Sequence, residues 1–317
     1  MKSTQKYLTT AAVYYCNLAL GVSATFLAPI LIDFRNAFHT DTQAISLVIT
    51  ICRIAVLISA LSFGVIFNYV NRHLLVTCLV LIMGLTGVLF PHSGTLIIFG
   101  VLYGLQSISA GGYLTAQVVW IIEIWKDSAG PYIQAQHFFF ALGSIFPPLV
   151  FAPFLNKNPA PGNATATFSD AGISQPNHSL KALYVPCAIC GGIISLGAVF
   201  LLGNYCAFKS APETSTSQET VAEPTDADFS EESSVEEEKP VIQNGNFWKK
   251  ILLIALSSAL IGGVESMEGI TMSFLPVFGH YSDLHLSESD GAQLLSAYSF
   301  AYTGARLAGI LIILKVS

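Results

Sequence analysis

The chain has 317 residues, of which 53% are hydrophobic and only 11% are charged. Water-soluble domains usually contain about a quarter charged residues, so this composition excludes a water-soluble protein and indicates a membrane protein. The net charge of −6 is local, because the segment 211–240 contributes −9 and the remainder sums to +3. The charge pattern therefore gives no indication of nucleic-acid binding.

Eight stretches are long and apolar enough to cross a bilayer as helices, which takes about 20 residues. They are 8–32, 44–67, 74–90, 94–122, 131–155, 182–208, 251–279 and 291–314. A polar, acidic segment rich in Ser, Thr, Glu and Pro follows the sixth stretch, and this composition is typical of a disordered linker. We predict an all-α membrane protein with a six-helix bundle at 1–209, an acidic cytoplasmic linker at 210–248 and two helices of a second bundle at 249–317.

The order of six stretches, a linker and two more is typical of transporters built from two six-helix repeats. The seventh stretch resembles the first, since Phe274-Leu275-Pro276 stands where the first stretch has Phe26-Leu27-Ala28-Pro29. The eighth stretch carries Arg306 and the second carries Arg53. We therefore predict about eight of an expected twelve spans. A chain that ends at this point is expected to be a truncated form that is unstable or does not transport alone.

Lys and Arg counts near the spans predict the orientation, because cytoplasmic loops are enriched in both residues. With the N-terminus inside, nine of these residues lie on the cytoplasmic side and three outside. The loop between the fifth and sixth stretches is then external, and it contains N-glycosylation motifs at Asn163 and Asn177. We predict a multi-pass glycoprotein of the plasma membrane with a cytoplasmic N-terminus.

The turn after the second stretch has Gly64, then Asn68 and Arg72 at intervals of four residues. Glycine permits close helix approach, and charges at neighbouring helix ends can form a latch that opens during transport. The turn resembles the signature loop of the major facilitator superfamily, which has an acid where Asn68 stands and a second base where His73 stands. The resemblance implies a cytoplasmic latch at Gly64, Asn68 and Arg72, weakened by these two differences.

Further segments resemble one branch of that superfamily, the sodium-dependent glucose transporters and the major facilitator superfamily domain-containing 4 proteins. The similar residues are 26–33, Lys126-Asp127-Ser128-Ala129, Gln134, His137-Phe138, Gly143, Ala152-Pro153-Phe154-Leu155, Glu265, Gly269, Gly304 and Arg306. The resemblance implies a major facilitator fold of twelve spans, sodium as a co-substrate without any other cofactor, and a hexose as the substrate class.

Charged side chains inside a membrane are costly, so they are candidates for function. Glu265 and Glu268 lie three residues apart, on one helical face, and glycines flank them. Carboxylates beside freed backbone carbonyls are suitable ligands for sodium, and a structural pair neutralised by arginine is the alternative. Arg53 and Arg306 are expected to take part in intramembrane charge pairing, while Arg53 could instead anchor an anionic substrate. Glu123 is expected to be hydrated near the inner surface.

A neutral sugar needs hydrogen-bond donors and acceptors that replace its water. Four polar side chains in the predicted spans meet this requirement: Asn17, Gln106, Gln134 and His137. Hydrogen bonding between helices is the competing explanation for each of them. No phosphate loop, zinc motif or nucleophile elbow is present in the sequence, so an enzyme is not expected.

The sequence therefore predicts a secondary transporter that moves a hexose-like solute, coupled to sodium, by alternating access. The alternative is a non-transporting membrane protein, or a truncated form that acts as a sensor or regulator of the intact transporter. The expected partners are a small-molecule solute and the lipid bilayer.

Overall fold

The computed structural model describes residues 3–157, 180–209 and 244–316, and these residues are almost entirely helical. The predicted glycosylation motifs at Asn163 and Asn177 lie outside the described residues, as does most of the predicted linker. The described helices are α1 Ser3–Thr25, α2 Leu31–Ala37, α3 Thr42–Ile66, α4 Arg72–Leu89, α5 Leu96–Trp125, α6 Ala129–Ser144, α7 Phe146–Phe151, α8 Tyr184–Lys209, α9 Asn244–Tyr281 and α10 Glu288–Val316.

Six segments of the described chain are long and apolar enough to cross a membrane. They are Ser3–Ala37, Gln43–Ile66, Arg72–His92, Leu96–Phe154, Leu180–Ala207 and Phe247–Tyr281. The predicted class, an all-α membrane protein, is confirmed by these helices. The predicted total of eight spans stays a prediction, because α10 is not among the six.

The segment Leu96–Phe154 folds back on itself. Gln136 Nε2 donates a hydrogen bond to the backbone oxygen of Gln117 at 3.1 Å, although 19 residues separate them. The reversal occurs at the short 3-10 turn Lys126–Ser128, where Lys126 has a φ of 46°. The 59-residue segment therefore contains two antiparallel helical passes.

Polar side chains cap the helices that begin after turns. Asp41 accepts a hydrogen bond from Ala44 N at the start of α3, and Asn71 accepts one from Leu74 N at the start of α4. Such caps satisfy backbone N–H groups that have no partner within the helix. They explain why α3 and α4 begin where they do.

The chain divides into two compact units, of which the first comprises Met1–Ser210 with Thr271–Ser317 and the second comprises Ala211–Ile270. In the first unit, α1 packs on α6 and α8, α3 on α5, α4 on α8, and α10 on α6 and α7. The described part of the second unit is the helical segment 244–270 of α9. The predicted domain boundaries stay a prediction.

Helix ends in the first unit gather at two levels. At the end where α1 begins, Trp125 Nε1 donates to Thr10 Oγ1 at 3.0 Å and Asn204 Nδ2 donates to Thr9 Oγ1 at 3.3 Å. We call this the proximal end. At the other end, which we call the distal end, the Phe26 ring lies 5.4 Å from the rings of Phe90 and Phe151.

Candidate functional site

Two predicted site residues of the first unit, Arg53 and Gln106, lie at similar depth. Arg53 follows the start of α3 by 11 residues and Gln106 follows the start of α5 by 10 residues. At 1.5 Å per residue, both lie roughly 15 to 17 Å from the distal ends of their helices. This depth corresponds to the middle of a bilayer core of about 30 Å. Asn17 lies closer to the proximal end, because it contacts Tyr113, which is seven residues further along α5 than Gln106.

Gln106 is buried and has unused hydrogen-bonding capacity. Its side chain is 2% exposed. Neither its Nε2 nor its Oε1 has a hydrogen-bond partner among the described residues. A buried polar group left unsatisfied costs about 1–3 kcal/mol. The amide can therefore supply both a donor and an acceptor to a polar solute without breaking an existing contact.

Arg53 lies beside the same region. Its Nη2 donates to Ser273 Oγ at 3.1 Å, so the first predicted repeat contacts the end of α9 at this level. Tyr103 of α5 lies within electrostatic range of Arg53. Tyr103 and Gln106 are three residues apart and share a helical face. The positive charge of Arg53 is thus held close to the face of α5 that carries Gln106.

Asn17 differs from Gln106 because its amide donors are already used. Asn17 Nδ2 donates to Val13 O at 2.9 Å and to Tyr113 Oη at 3.2 Å. Tyr113 Oη in turn donates to Val13 O at 3.0 Å. These bonds connect α1 to α5, which is consistent with the alternative that Asn17 holds helices together.

Gln134 and His137 lie at a different level from Gln106. They follow the start of α6 by five and eight residues, which places them about 8 to 12 Å from the proximal end of that helix. Both side chains are half-buried. The structure therefore does not bring all four predicted sugar-binding residues to one depth.

The two predicted coupling carboxylates belong to the second unit. Glu265 is exposed and Glu268 is half-buried, and they occupy one face of α9. Between them, Ser266 Oγ donates to the backbone oxygen of Gly262 at 2.6 Å. Their role in binding sodium stays a prediction.

Arg72, predicted as part of the latch, forms an ion pair at the proximal end. Its Nη1 lies 2.7 and 2.8 Å from the two carboxylate oxygens of Glu123 at the end of α5. Gly64 lies beside Thr115 of α5, while Asn68 is exposed in the turn after α3. The Glu123 side chain is 54% exposed, which is compatible with the expected hydration, and its ion pair with Arg72 was not predicted. The pair could have been predicted from the sequence, because Glu123 lies near the end of a predicted span on the same predicted membrane side as Arg72.

His73 contributes a second contact near this pair. Its Nε2 lies 2.8 Å from the backbone oxygen of Leu201. Its ring centroid is 5.3 Å from the rings of both Trp120 and Tyr205. The start of α4 is thereby fixed to both α5 and α8.

Arg306 contacts a tyrosine one turn earlier in α10. Its Nε and Nη2 donate to Tyr302 Oη at 3.0 and 2.6 Å. The guanidinium carbon lies 5.0 Å from the centroid of the same ring. The predicted charge pairing of Arg306, like that of Arg53, stays a prediction.

The family model described as Major Facilitator Superfamily matches residues 13–316. Sodium-dependent glucose transporter 1 of Rattus norvegicus is 29% identical over 147 residues, which cover 46% of this chain and 30% of that protein. Sodium-dependent glucose transporter 1A of Mus musculus is 25% identical over 206 residues, covering 61% of this chain and 48% of that protein.

Major facilitator superfamily domain-containing protein 4A of Xenopus tropicalis is 25% identical over 166 residues, covering 52% of this chain and 32% of that protein. The matched region spans less than half the length of each of these three relatives. These similarities confirm the resemblance to the superfamily and to this branch.

Proposed function

Because the chain belongs to the Major Facilitator Superfamily, we propose that it acts in secondary active transport of a hexose-like solute together with sodium. The mechanism would be alternating access, in which two helix bundles move around a site near the middle of the membrane. Two of the relatives are named as sodium-dependent glucose transporters.

The observation that supports a polar solute most strongly is the amide of Gln106. Nothing among the described residues uses its donor or its acceptor, although the side chain is only 2% exposed. A sugar hydroxyl is both donor and acceptor, and it must regain on binding the hydrogen bonds that it loses with water. Gln106 is therefore our first choice for a sugar contact, and Asn17, Gln134 and His137 are the secondary ones.

Sodium coupling is proposed to involve the second unit. Hard cations prefer oxygen ligands, and Glu265 and Glu268 provide carboxylates on one face of α9. α9 is an unbroken helix over Asn244–Tyr281 and includes Gly262, Gly263 and Gly269. The two carboxylates are therefore the ligands that we propose, rather than the freed backbone carbonyls expected from the flanking glycines.

The topology is part of the same proposal. We infer eight membrane passes, formed by α1–α2, α3, α4, α5, α6–α7, α8, α9 and α10. We also infer that the protein lies in the plasma membrane with its N-terminus in the cytoplasm. The proximal end of the first unit would then face the cytoplasm. The Arg72–Glu123 pair would serve as a cytoplasmic latch between α4 and α5.

Uptake of radiolabelled glucose into proteoliposomes containing the purified chain tests the proposal. If the chain transports alone, uptake saturates, falls when choline replaces sodium, and falls further in the Glu265→Gln variant. Asp283→Asn is the matched control, because it removes an exposed carboxylate in the turn between α9 and α10, outside the proposed sodium site. Absence of saturable uptake would instead support the expectation that this chain does not transport alone. Uptake that is unchanged by sodium would contradict coupling. Saturable glucose binding without flux would instead support the sensor alternative.

A further inference from the structure

Arg53 carries a permanent positive charge in the middle of α3. It follows the first residue of the helix by 11 residues and precedes the last one by 13, which places it roughly 16 Å from the distal end. Only arginines near the ends of a membrane helix can extend their side chains to the interface. Because arginine does not lose its proton in proteins, this charge has to be compensated at its own depth.

The described neighbours of Arg53 do not supply a compensating negative charge. Arg53 Nη2 donates a hydrogen bond to the neutral hydroxyl of Ser273 at 3.1 Å. The salt bridge between Arg72 and Glu123 is the only one that the described residues form, so no described carboxylate is paired with Arg53. A charge without a counter-ion is strongly unfavourable away from water. The site is therefore short of one negative charge.

Gln106 lies at the level of Arg53 on the neighbouring helix. Two contacts join α3 to α5 around this level: Cys52 Sγ lies 3.9 Å from Gly100 O, and a Cβ at Gly111 would contact Val56 O. The α3 residues of these contacts flank Arg53, and the α5 residues flank Gln106. A positive charge and an amide whose donor and acceptor have no described partner are thus held at one level on adjacent helices.

This combination of groups discriminates between classes of solute. A guanidinium binds a carboxylate through two parallel N–H···O bonds, which are stronger than hydrogen bonds between neutral groups. A sugar hydroxyl needs a partner that donates and accepts, and the amide of Gln106 does both. A neutral hexose satisfies only the amide, and a simple carboxylate satisfies only Arg53. A hydroxylated carboxylate of hexose size satisfies both.

We infer that the preferred solute is a sugar acid, whose carboxylate binds Arg53 and whose hydroxyl groups bind Gln106. The side chain of Arg53 is exposed, so a solute can reach it without displacing a helix. The hydrogen bond to Ser273 keeps the guanidinium at the level of Gln106. The inference rests on the proposed transport of a hexose-like solute and deepens it by specifying the charge of that solute.

Equilibrium binding to the purified chain in lipid nanodiscs tests the inference and requires no transport. The ligands are radiolabelled D-glucuronate, D-glucose and D-glucuronamide, which has the shape of glucuronate without its charge. We expect glucuronate to bind at least about tenfold more tightly than either neutral ligand, because hydrogen bonds to a charged group contribute at least this much. Acetate at the same concentration should not displace glucuronate, because it has no hydroxyl groups for Gln106.

Substitutions of Arg53 test whether this residue is the source of the preference. Arg53→Gln should weaken glucuronate binding about tenfold or more and leave glucose binding nearly unchanged. Arg53→Lys keeps the charge without the paired hydrogen bonds and should retain part of the preference. Arg35→Gln is the matched control, because it removes the same charge at the end of α2, away from the level of Gln106. It should leave the preference intact.

The unfolding midpoint distinguishes a solute contact from a structural ion pair. Arg53→Gln removes an uncompensated charge, so its midpoint should be equal to or higher than that of the parent. A lower midpoint together with an unchanged preference would overturn the inference and indicate that Arg53 pairs with a carboxylate of the protein. The comparison of the three ligands uses the parent chain and does not depend on the folding of any variant.

Three further results would overturn the sugar-acid inference: glucuronate that binds no better than glucose, displacement of glucuronate by acetate at equal concentration, or a preference that persists in Arg53→Gln. Glucose binding without a preference for glucuronate would leave the proposed hexose function in place. Binding of none of the ligands to a protein with the expected unfolding midpoint would count against both proposals. Replacing sodium with choline in the same assay tests the sodium coupling separately.

Discussion

At the scale of single residues, a substitution of Gln106 should change solute binding without lowering the stability of the protein. Replacing it with Met removes two buried and unsatisfied polar atoms at similar volume. Apolar replacement of an unsatisfied polar group is neutral or stabilising, by up to about 1–3 kcal/mol. We therefore expect Gln106→Met to keep or raise the thermal unfolding midpoint in detergent. Glucose uptake or binding should fall at least tenfold.

Gln117 provides the control for this change. It lies in the same helix and is 7% exposed, but its backbone oxygen accepts the hydrogen bond from Gln136. Gln117→Met leaves that bond in place and should leave uptake nearly unchanged. Equal losses in the two variants would indicate that Gln106 has only a packing role.

The ion pair of Arg72 and Glu123 gives a second prediction at the residue scale. Their side chains are 28% and 54% exposed, and exposed pairs contribute roughly 0–1 kcal/mol. Glu123→Lys should therefore leave the unfolding midpoint almost unchanged, while the repulsion it introduces should alter the initial rate of uptake. Restoring the opposite charge with Arg72→Glu in the same protein should restore much of the rate. A double variant no better than Glu123→Lys would contradict a latch role.

At the scale of helices, the sequence was sufficient to find most elements. One helix covers each of six predicted stretches, and two consecutive helices cover each of the other two, 8–32 and 131–155. This succeeds because a lipid-exposed backbone must satisfy its own hydrogen bonds, so that long apolar stretches form helices. The break after Thr25, where Pro29 begins a short 3-10 turn before α2, was not predicted.

The contacts between helices could be predicted from the sequence less well than the helices themselves. The Arg72–Glu123 pair and the hydrogen bond from Ser289 N to Asn156 O join residues far apart in the chain, and neither has a local sequence pattern. No pattern in the sequence predicts that Glu288 is buried. Its exposure of 6% follows from the packing of α10 on the segment after α7, which the periodicity of a single sequence does not encode.

At the scale of helices, the prediction concerns glycine-to-alanine substitutions at positions where two helices are in close contact. A Cβ at Gly84 of α4 would lie 2.7 Å from Ser195 N and 2.8 Å from Gly191 O of α8. Because the obstructing atoms are backbone, the helices must move apart, and overpacking of this kind costs about 1–3 kcal/mol. Gly84→Ala should lower the unfolding midpoint. At Gly104 of α5 no atom lies within 4 Å of such a Cβ, so Gly104→Ala should be neutral or stabilising.

At the scale of the whole molecule, the open question of orientation is which side of the membrane the distal end of the first unit faces. The chain leaves the distal end after Lys157 and enters the segment that carries the motifs at Asn163 and Asn177. N-glycosylation requires a lumenal or extracellular acceptor. Glycans at these positions would place the distal end outside.

Expression in mammalian cells tests this orientation. We expect a downward shift in apparent mass after treatment with peptide-N-glycosidase, reduced in Asn163→Gln or Asn177→Gln alone and abolished in the double variant. A new Asn-x-Thr motif placed within 211–240 should remain unmodified if that segment is cytoplasmic. Modification of the new motif without modification of the native ones would reverse the orientation. The Arg72–Glu123 pair would then lie outside.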